Sequence, residues 1–313
     1  MSHDLSESLL GPSRIKPFLA LSRSPHGLLD LATPIVAALL ALGTFPSISV
    51  VMLGFVAAFS GYTSVYALND MVDFHTDKKR MPPSASEEHG GYLDAIFVRH
   101  PVARGFLTFN QGVAWTTAWG VLGFSAAYCL NPICAYILIL GFILEAFYCR
   151  MLTVSHLRAL VAGVVKTLGG LAAVFAVNPD PFPLFVAILF FWIFFWEIGG
   201  QNIPADWYDL EEDRRFGAKT IPTRYGAGGA GKISFVCLVL STALSVTLLA
   251  FSSMPFSPLY LLLWLVAALY LLLLPAYRLC RTGAQAKTSV LFNRASYYPL
   301  ALLGVTVVQI ILS

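Results

Sequence analysis

The chain has 313 residues, 57% hydrophobic and only 12% charged, with a mean hydropathy of +0.72 and a formal net charge of +3. A water-soluble domain carries about 25% charged residues, so the polar side chains here are too few to cover a surface facing water, and a soluble fold is excluded. The small net charge gives no basis for nucleic-acid binding.

Residues 1–26 are polar, with Pro and Ser, and no short apolar core with a small-residue cleavage site follows. They are expected to form a cytoplasmic N-terminal segment, without a cleaved signal peptide. A bilayer core needs about 20 mainly apolar residues per helix. Reading for such runs predicts nine spans: Gly27–Phe45, Ile48–Leu68, Phe106–Leu130, Ile133–Tyr148, Ala159–Val177, Leu184–Ile203, Ala230–Phe251, Leu259–Tyr277 and Ala295–Leu312. The runs are continuous, whereas membrane barrels alternate with period two. The expected fold is an all-α polytopic membrane protein, a nine-transmembrane-helix bundle forming one domain over 27–313, with cytoplasmic cap loops at 69–105 and 204–232.

Nine crossings sort the loops onto two sides. The connections Phe45–Ile48, Leu130–Ile133, Val177–Leu184 and Phe251–Leu259 are short and contain no Lys or Arg. All but Lys166 of the twenty Lys and Arg residues fall on the other side, which the positive-inside rule makes cytoplasmic. The expected location is an integral membrane protein of the bacterial inner membrane. The five cysteines (Cys129, Cys134, Cys149, Cys237, Cys280) form no CxxC pair and have apolar neighbours, predicting buried, reduced thiols.

Two acidic clusters follow the second and sixth spans, on the same side. In the first, Asn69, Asp73 and Asp77 at i, i+4 and i+8 share a helical face, with Asp70 beside them. In the second, Asn202, Asp206, Asp209 and Asp213 at i, i+4, i+7 and i+11 line one stripe, interrupted by Pro204, which should kink or restart the helix. Stacked like charges repel unless a cation compensates, and oxygen-only ligands suit Mg²⁺. A solvated acidic helix end is the plain alternative for either cluster alone; two stripes on one face favour a metal–diphosphate site.

The patterns NDxxDxxxD (Asn69 to Asp77) and DxxDxxxDxxxGxKT (Asp206 to Thr220) resemble those of the UbiA superfamily of intramembrane prenyltransferases, and the likeness of span number and motif position covers nearly the whole chain. The resemblance implies that Asn69, Asp70, Asp73, Asp77, Asp206, Asp209 and Asp213 bind Mg²⁺ and a prenyl diphosphate, with Asp70, Asp73, Asp206 and Asp209 central to catalysis and Lys219 serving the same ligand. It also implies a lateral opening to lipid. One departure stands out. Where the family often has Arg-Pro-x-x-Ser-Gly, this chain has Arg99-His100-Pro101-Val102-Ala103-Arg104-Gly105, after a longer insert (78–98) expected to cap the mouth.

Cations should surround a departing diphosphate. Candidates are Lys78, Lys79, Arg99, Arg104, Arg150, Lys166 and Lys219, with Asn202 as a further substrate contact. Positive-inside bias alone explains most loop cations. Lys166 lies within a span, where it either faces the cavity with an anionic partner or snorkels to the interface. Glu145 and Glu197 are intramembrane acids that either pair Lys166, line an acceptor pocket, or make structural interhelical contacts. Tyr62 and Tyr66, two turns and one turn deeper than Asn69, could stabilise an allylic cation. His75 and His156 read as loop residues. The expected reaction is prenyl transfer to a small-molecule acceptor, an aromatic quinone precursor first, with haem, chlorophyllide, glyceryl lipid or phosphoribosyl acceptors as other versions. A cation transporter is the rival from another class; its carboxylates would sit near the midplane on broken helices. An aspartate-rich phosphotransferase lacks its expected Gly and Arg between the acids.

Overall fold

The structure, a computed structural model, describes residues 15–80, 97–255 and 257–313, and these contain helices and no strand. A short α1 (Lys16–Leu21) leads into α2 (Ser24–Leu42), α3 (Ile48–Arg80), α4 (Phe109–Leu130), α5 (Pro132–Arg150), α6 (Arg158–Val177) and α7 (Pro183–Tyr208). A seven-residue α8 (Leu210–Phe216) precedes α9 (Ile221–Phe251), α10 (Pro258–Thr282) and α11 (Gln285–Leu312). Nine of these, all except α1 and α8, are long and apolar enough to cross a membrane.

Local chemistry sets the helix ends. Thr108 and Gln111 form a capping box at the start of α4, and Asn131 caps α5 ahead of Pro132. The GxKT end of the second motif is a stop followed by a start. Gly217, at φ +75°, closes α8 in the left-handed region, and Thr220 caps α9 through the Thr223 backbone N–H.

Several helices continue beyond the apolar runs. The second span, α3, runs to Arg80, the sixth, α7, to Tyr208, and the seventh, α9, begins at Ile221. Much of the cap regions expected at 69–105 and 204–232 is therefore helical. Hydropathy falls where a helix leaves lipid, but its backbone bonds do not, so the apolar run underestimates the helix. With 33 residues, α3 is about 50 Å long at 1.5 Å per residue, well beyond the hydrocarbon thickness of about 30 Å. Most of the insert, 81–96, and its expected capping role lie outside the described residues. The N-terminal segment is not all loop, since His26 is buried on α2.

Pro204 restarts the helix through a π-helical segment, Glu197–Asn202, and a second such segment, Leu269–Leu273, precedes Pro275 in α10. Proline lacks an N–H and crowds the carbonyl four residues back; a wider turn relieves both.

In the bundle α3 packs along α4, α7 lies between α6 and α9, and α2 is held by α6 and α11. Close approach is purchased with small residues: a Cβ on Gly199 of α7 would lie 2.8 Å from the Ser234 carbonyl oxygen of α9. Trp192, Trp196, Trp207, Trp264 and Tyr298 are fully buried. Polar tips in this core find partners, as when Trp264 Nε1 and Tyr298 Oη each donate to Ser245 Oγ at 3.1 Å. Large apolar side chains such as Ile48, Met52, Val121 and Ile143 point outward, as lipid requires. Cys129 is exposed and Cys280 half-buried rather than buried as expected, because lipid accepts a thiol as readily as a core does; all five cysteines are free.

Candidate active site

The last turns of α3 carry Asn69, Asp70, Asp73 and Asp77, while Asp206 ends α7, Asp209 lies at the junction, and Asp213 is on α8. The six aspartates and Asn69 line one cavity of about 670 Å³. Its apolar continuation descends along α3 to Val50 and Val51, beside Phe45 and Pro46. From Asn69 to Val50 the helix rises about 28 Å.

Five of the six carboxylates meet a cation, and every pair joins different elements. Arg99 binds Asp209 through Nη1–Oδ1 at 3.2 Å and Nη2–Oδ2 at 2.9 Å. Arg80 Nη2 reaches Asp213 Oδ1 at 2.7 Å, with its Nε 3.0 Å from Glu212. Arg158 Nη1 lies 3.2 Å from Asp206 Oδ1, its guanidinium 4.0 Å from the Tyr148 ring centroid. His100 Nδ1 sits 2.7 Å from Asp77 and 3.2 Å from Asp70, held there by a backbone at φ +50°. Burial opposes a charge on His100, but Asp70 and Asp77 outweigh it, and its pKa is raised to about 9. At Asp213 burial dominates and raises the pKa to about 6, against the pull of Arg80.

Sequence reasoning missed Arg80, Arg158 and His100. The one available signal was the altered stretch Arg99–Gly105, which places His100 at the position of the family's usual arginine. The reverse also occurs. Lys78, Lys79, Arg104, Arg150 and Lys219 are exposed and do not line the cavity. Lys78 and Lys79 follow Asp77 directly, and successive helical residues point about 100° apart, so nearness in sequence turns them away.

Asn69 lines the cavity with its amide engaged by a neighbour, and Asn202 does not line it. Asn69 Nδ2 donates to Glu145 Oε1 at 2.7 Å, and Asn202 Nδ2 to Tyr148 Oη at 3.1 Å. Among the described residues, Asp70 Oδ2, Asp206 Oδ2 and Asn202 Oδ1 are buried without a hydrogen-bond partner. Such oxygens need a donor or a cation. An oxygen-rich set of this kind would suit Mg²⁺, which favours carboxylate and phosphate oxygens.

Deeper in the same cavity lies a second polar group. Lys166 Nζ is 2.6 Å from Asp30 Oδ2 and 3.8 Å from Glu197 Oε2. Tyr66 donates to Asp30, and His26 Nε2 is 3.6 Å from its other oxygen. Lys166 faces the cavity rather than snorkelling. Asp30 was missed because a lone acid at the start of an apolar run carries no spacing signal. His75 is on α3, exposed, not in a loop; His156 lies in a turn, 3.2 Å from Tyr225 Oη.

A family model, described as the UbiA prenyltransferase family, matches residues 31–297. A digeranylgeranylglyceryl phosphate synthase of Thermococcus sibiricus is 26% identical over 236 residues, 74% of this chain and 76% of the relative. Among solved structures, one from work on digeranylgeranylglyceryl phosphate synthase in membranes has a TM-score of 0.68 at 18% identity, covering 96% of this chain and 100% of that one. A UbiA homologue from Archaeoglobus fulgidus bound to GPP and Mg²⁺ has a TM-score of 0.66 at 13% identity, covering 94% of this chain and 99% of that one. At such identities the structural likenesses establish the fold.

Proposed function

The chain belongs to the UbiA prenyltransferase family, and from that premise we propose that it moves a prenyl group from a prenyl diphosphate to a hydroxyl of a glycerophosphate-type lipid, with Mg²⁺ held between the two aspartate stripes. That it is a prenyltransferase of the membrane is the family's property; the acceptor, the metal and the residue roles are the proposal.

The observation that carries it is the cavity in which six aspartates, three from α3 and three from α7, α8 and their junction, lie above an apolar channel. A diphosphate fits among the acids only with divalent cations between, and Mg²⁺ would supply Lewis-acid stabilisation of the leaving group. Asp70, Asp73, Asp77, Asp206, Asp209 and Asp213 would hold it. Arg80, Arg99 and Arg158, which pair with three of these acids, are placed to turn to diphosphate oxygens as charge develops there. The isoprenoid chain would descend along α3, where water is excluded. Tyr66 and Tyr62 would flank its reactive end.

A glycerophosphate-type acceptor is favoured over the expected aromatic one because the relative named above is a digeranylgeranylglyceryl phosphate synthase. Arg23 lines the cavity with its guanidinium 5.8 Å from the Tyr66 ring centroid, and would face the lipid's phosphate. The clustering of Lys and Arg at the aspartate-bearing end supports a cytoplasmic mouth.

The test uses the full chain in nanodiscs with radiolabelled geranylgeranyl diphosphate, offering geranylgeranylglyceryl phosphate or hydroxybenzoate. The expected result is labelled diether lipid that requires Mg²⁺ and disappears in Asp70→Ala and Asp209→Ala. Near-normal turnover in both variants would overturn the metal site, and prenylated hydroxybenzoate alone would overturn the acceptor.

A further inference from the structure

Within this prenyl-transfer reading, on which the inference rests, we propose that Glu197 and Tyr62 form the subsite that receives the acceptor's hydroxyl, that Glu197 takes its proton, and that Lys166 and Asp30 position Glu197.

Ionisable side chains inside a membrane bundle cost a few kcal/mol each and persist where they are paired or used. The deep group is paired unevenly. The Lys166 ammonium sits 2.6 Å from Asp30 but 3.8 Å from Glu197, and Tyr66 and His26 also converge on Asp30. Asp30 is thus the better partnered of the two acids. Among the described residues, neither Glu197 Oε2 nor Tyr62 Oη, both buried, has a hydrogen-bond partner. Both residues line the cavity that holds the aspartates, and Tyr62 is within electrostatic reach of Glu197 and Asp30. The space for the tyrosine hydroxyl comes from Gly169, where a Cβ would lie 2.5 Å from Tyr62 Oη.

One unpartnered acceptor and one unpartnered donor–acceptor in an apolar channel suit a guest that both donates and accepts. An alcohol does so: its O–H would point to Glu197 Oε2, and its lone pair would accept from Tyr62 Oη. A phosphate or carboxylate at this depth would instead meet the carboxylates of Glu197 and Glu145, beside a Lys166 ammonium already committed to Asp30. The acceptor's anionic end therefore stays near the arginines, and its neutral hydroxyl goes in. Tyr66 and Tyr62 lie about one and two helical turns below Asn69 on α3, where the first carbons of a diphosphate-anchored chain would lie.

The step balances. The bond from C1 to the bridging oxygen breaks, and its electron pair leaves on the diphosphate. A lone pair of the acceptor oxygen forms the new C1–O bond, and the hydroxyl proton moves to Glu197, which passes it to water as the product leaves.

The test compares the full chain with Glu197→Gln, Glu197→Asp and Tyr62→Phe in nanodiscs. With a non-hydrolysable geranylgeranyl diphosphate analogue and Mg²⁺ bound, 1-O-hexadecylglycerol should bind about tenfold more tightly than its di-O-methyl ether, the worth of one to two hydrogen bonds. Glu197→Gln and Tyr62→Phe should bind the two alike. In turnover, Glu197→Gln should lose roughly 100-fold or more in kcat, the range of general-base catalysis, with donor KM unchanged, and Glu197→Asp should recover part of it. Tyr62→Phe should raise acceptor KM. Wild-type protein that fails to prefer the alcohol, or variants that keep the preference and kcat, overturn the proposal. A failure of the prenyl-transfer reading looks different: wild-type protein would show no Mg²⁺-dependent donor binding at all.

Discussion

Arg99 grips Asp209 with two parallel hydrogen bonds, 3.2 and 2.9 Å long, across more than a hundred residues of sequence. Two-pronged pairing of this kind belongs to a planar guanidinium and cannot be copied by a point charge. Arg99→Lys keeps the charge and loses the geometry. The expected outcome is a fall of about tenfold in kcat/KM for the donor, equivalent to about 1.4 kcal/mol, read from initial rates at varied prenyl diphosphate. An unchanged value would mean that Arg99 serves as charge alone.

The exposed cations give the opposite expectation. Arg150 and Lys219 face away from the cavity, and surface substitutions away from special features stay within about 0.5 kcal/mol. Arg150→Ala and Lys219→Ala should each change kcat/KM by less than about threefold in the same assay. A larger loss in either would place that side chain on the substrate.

These cations show how far the sequence is legible. The aspartate stripes could be read because helical spacing is local: i, i+4 and i+8 fix a face whatever the rest of the chain does. Span number was also readable, since lipid demands apolar length. The partners of the stripes were not readable, because Arg80, Arg158 and His100 reach Asp213, Asp206, Asp70 and Asp77 mostly across long stretches of chain. Lys78 and Lys79 misled through adjacency. Asp30 and Lys166 stand 136 residues apart, and no local pattern joins them.

Breaking that last pair has a predictable sign. Lys166→Met would strand buried Asp30 and Glu197 without their ammonium, a change worth about 3 kcal/mol or more in destabilisation. The double variant Asp30→Asn/Lys166→Met should recover much of it. Thermal unfolding in detergent, compared across the four corners of the cycle, measures the coupling; additive effects would show that the two side chains are independent.

Two glycines should fail for different reasons. At Gly199 an added methyl meets the Ser234 carbonyl oxygen and Cys237 Cβ, both at 2.8 Å, so Gly199→Ala forces α7 and α9 apart, at about 1–3 kcal/mol. At Gly217 no described residue lies within 4 Å of an added Cβ, but φ is +75°, and left-handed backbone costs a residue with a Cβ about 1–2 kcal/mol. Gly217→Asn should therefore lose less than Gly217→Ala, because Asn visits that region more readily, whereas Gly199→Asn should be worse than Gly199→Ala. Melting temperatures of the four variants check the ordering.

The π-helical segment Glu197–Asn202 acts as a rotational vernier within α7. Each residue of an α-helix advances the side-chain direction by about 100°, and one wide turn offsets everything beyond it relative to the buried half of the helix. Glu197 and Asp206 can thereby address the same cavity although they do not share an ordinary α-helical face. If the same residues wound as a regular α-helix, Trp192 and Trp196 would stay in the core while Asp206 swung by about 100° out of line with its partners. The phase between membrane anchor and acidic head is set there, by a single extra peptide unit.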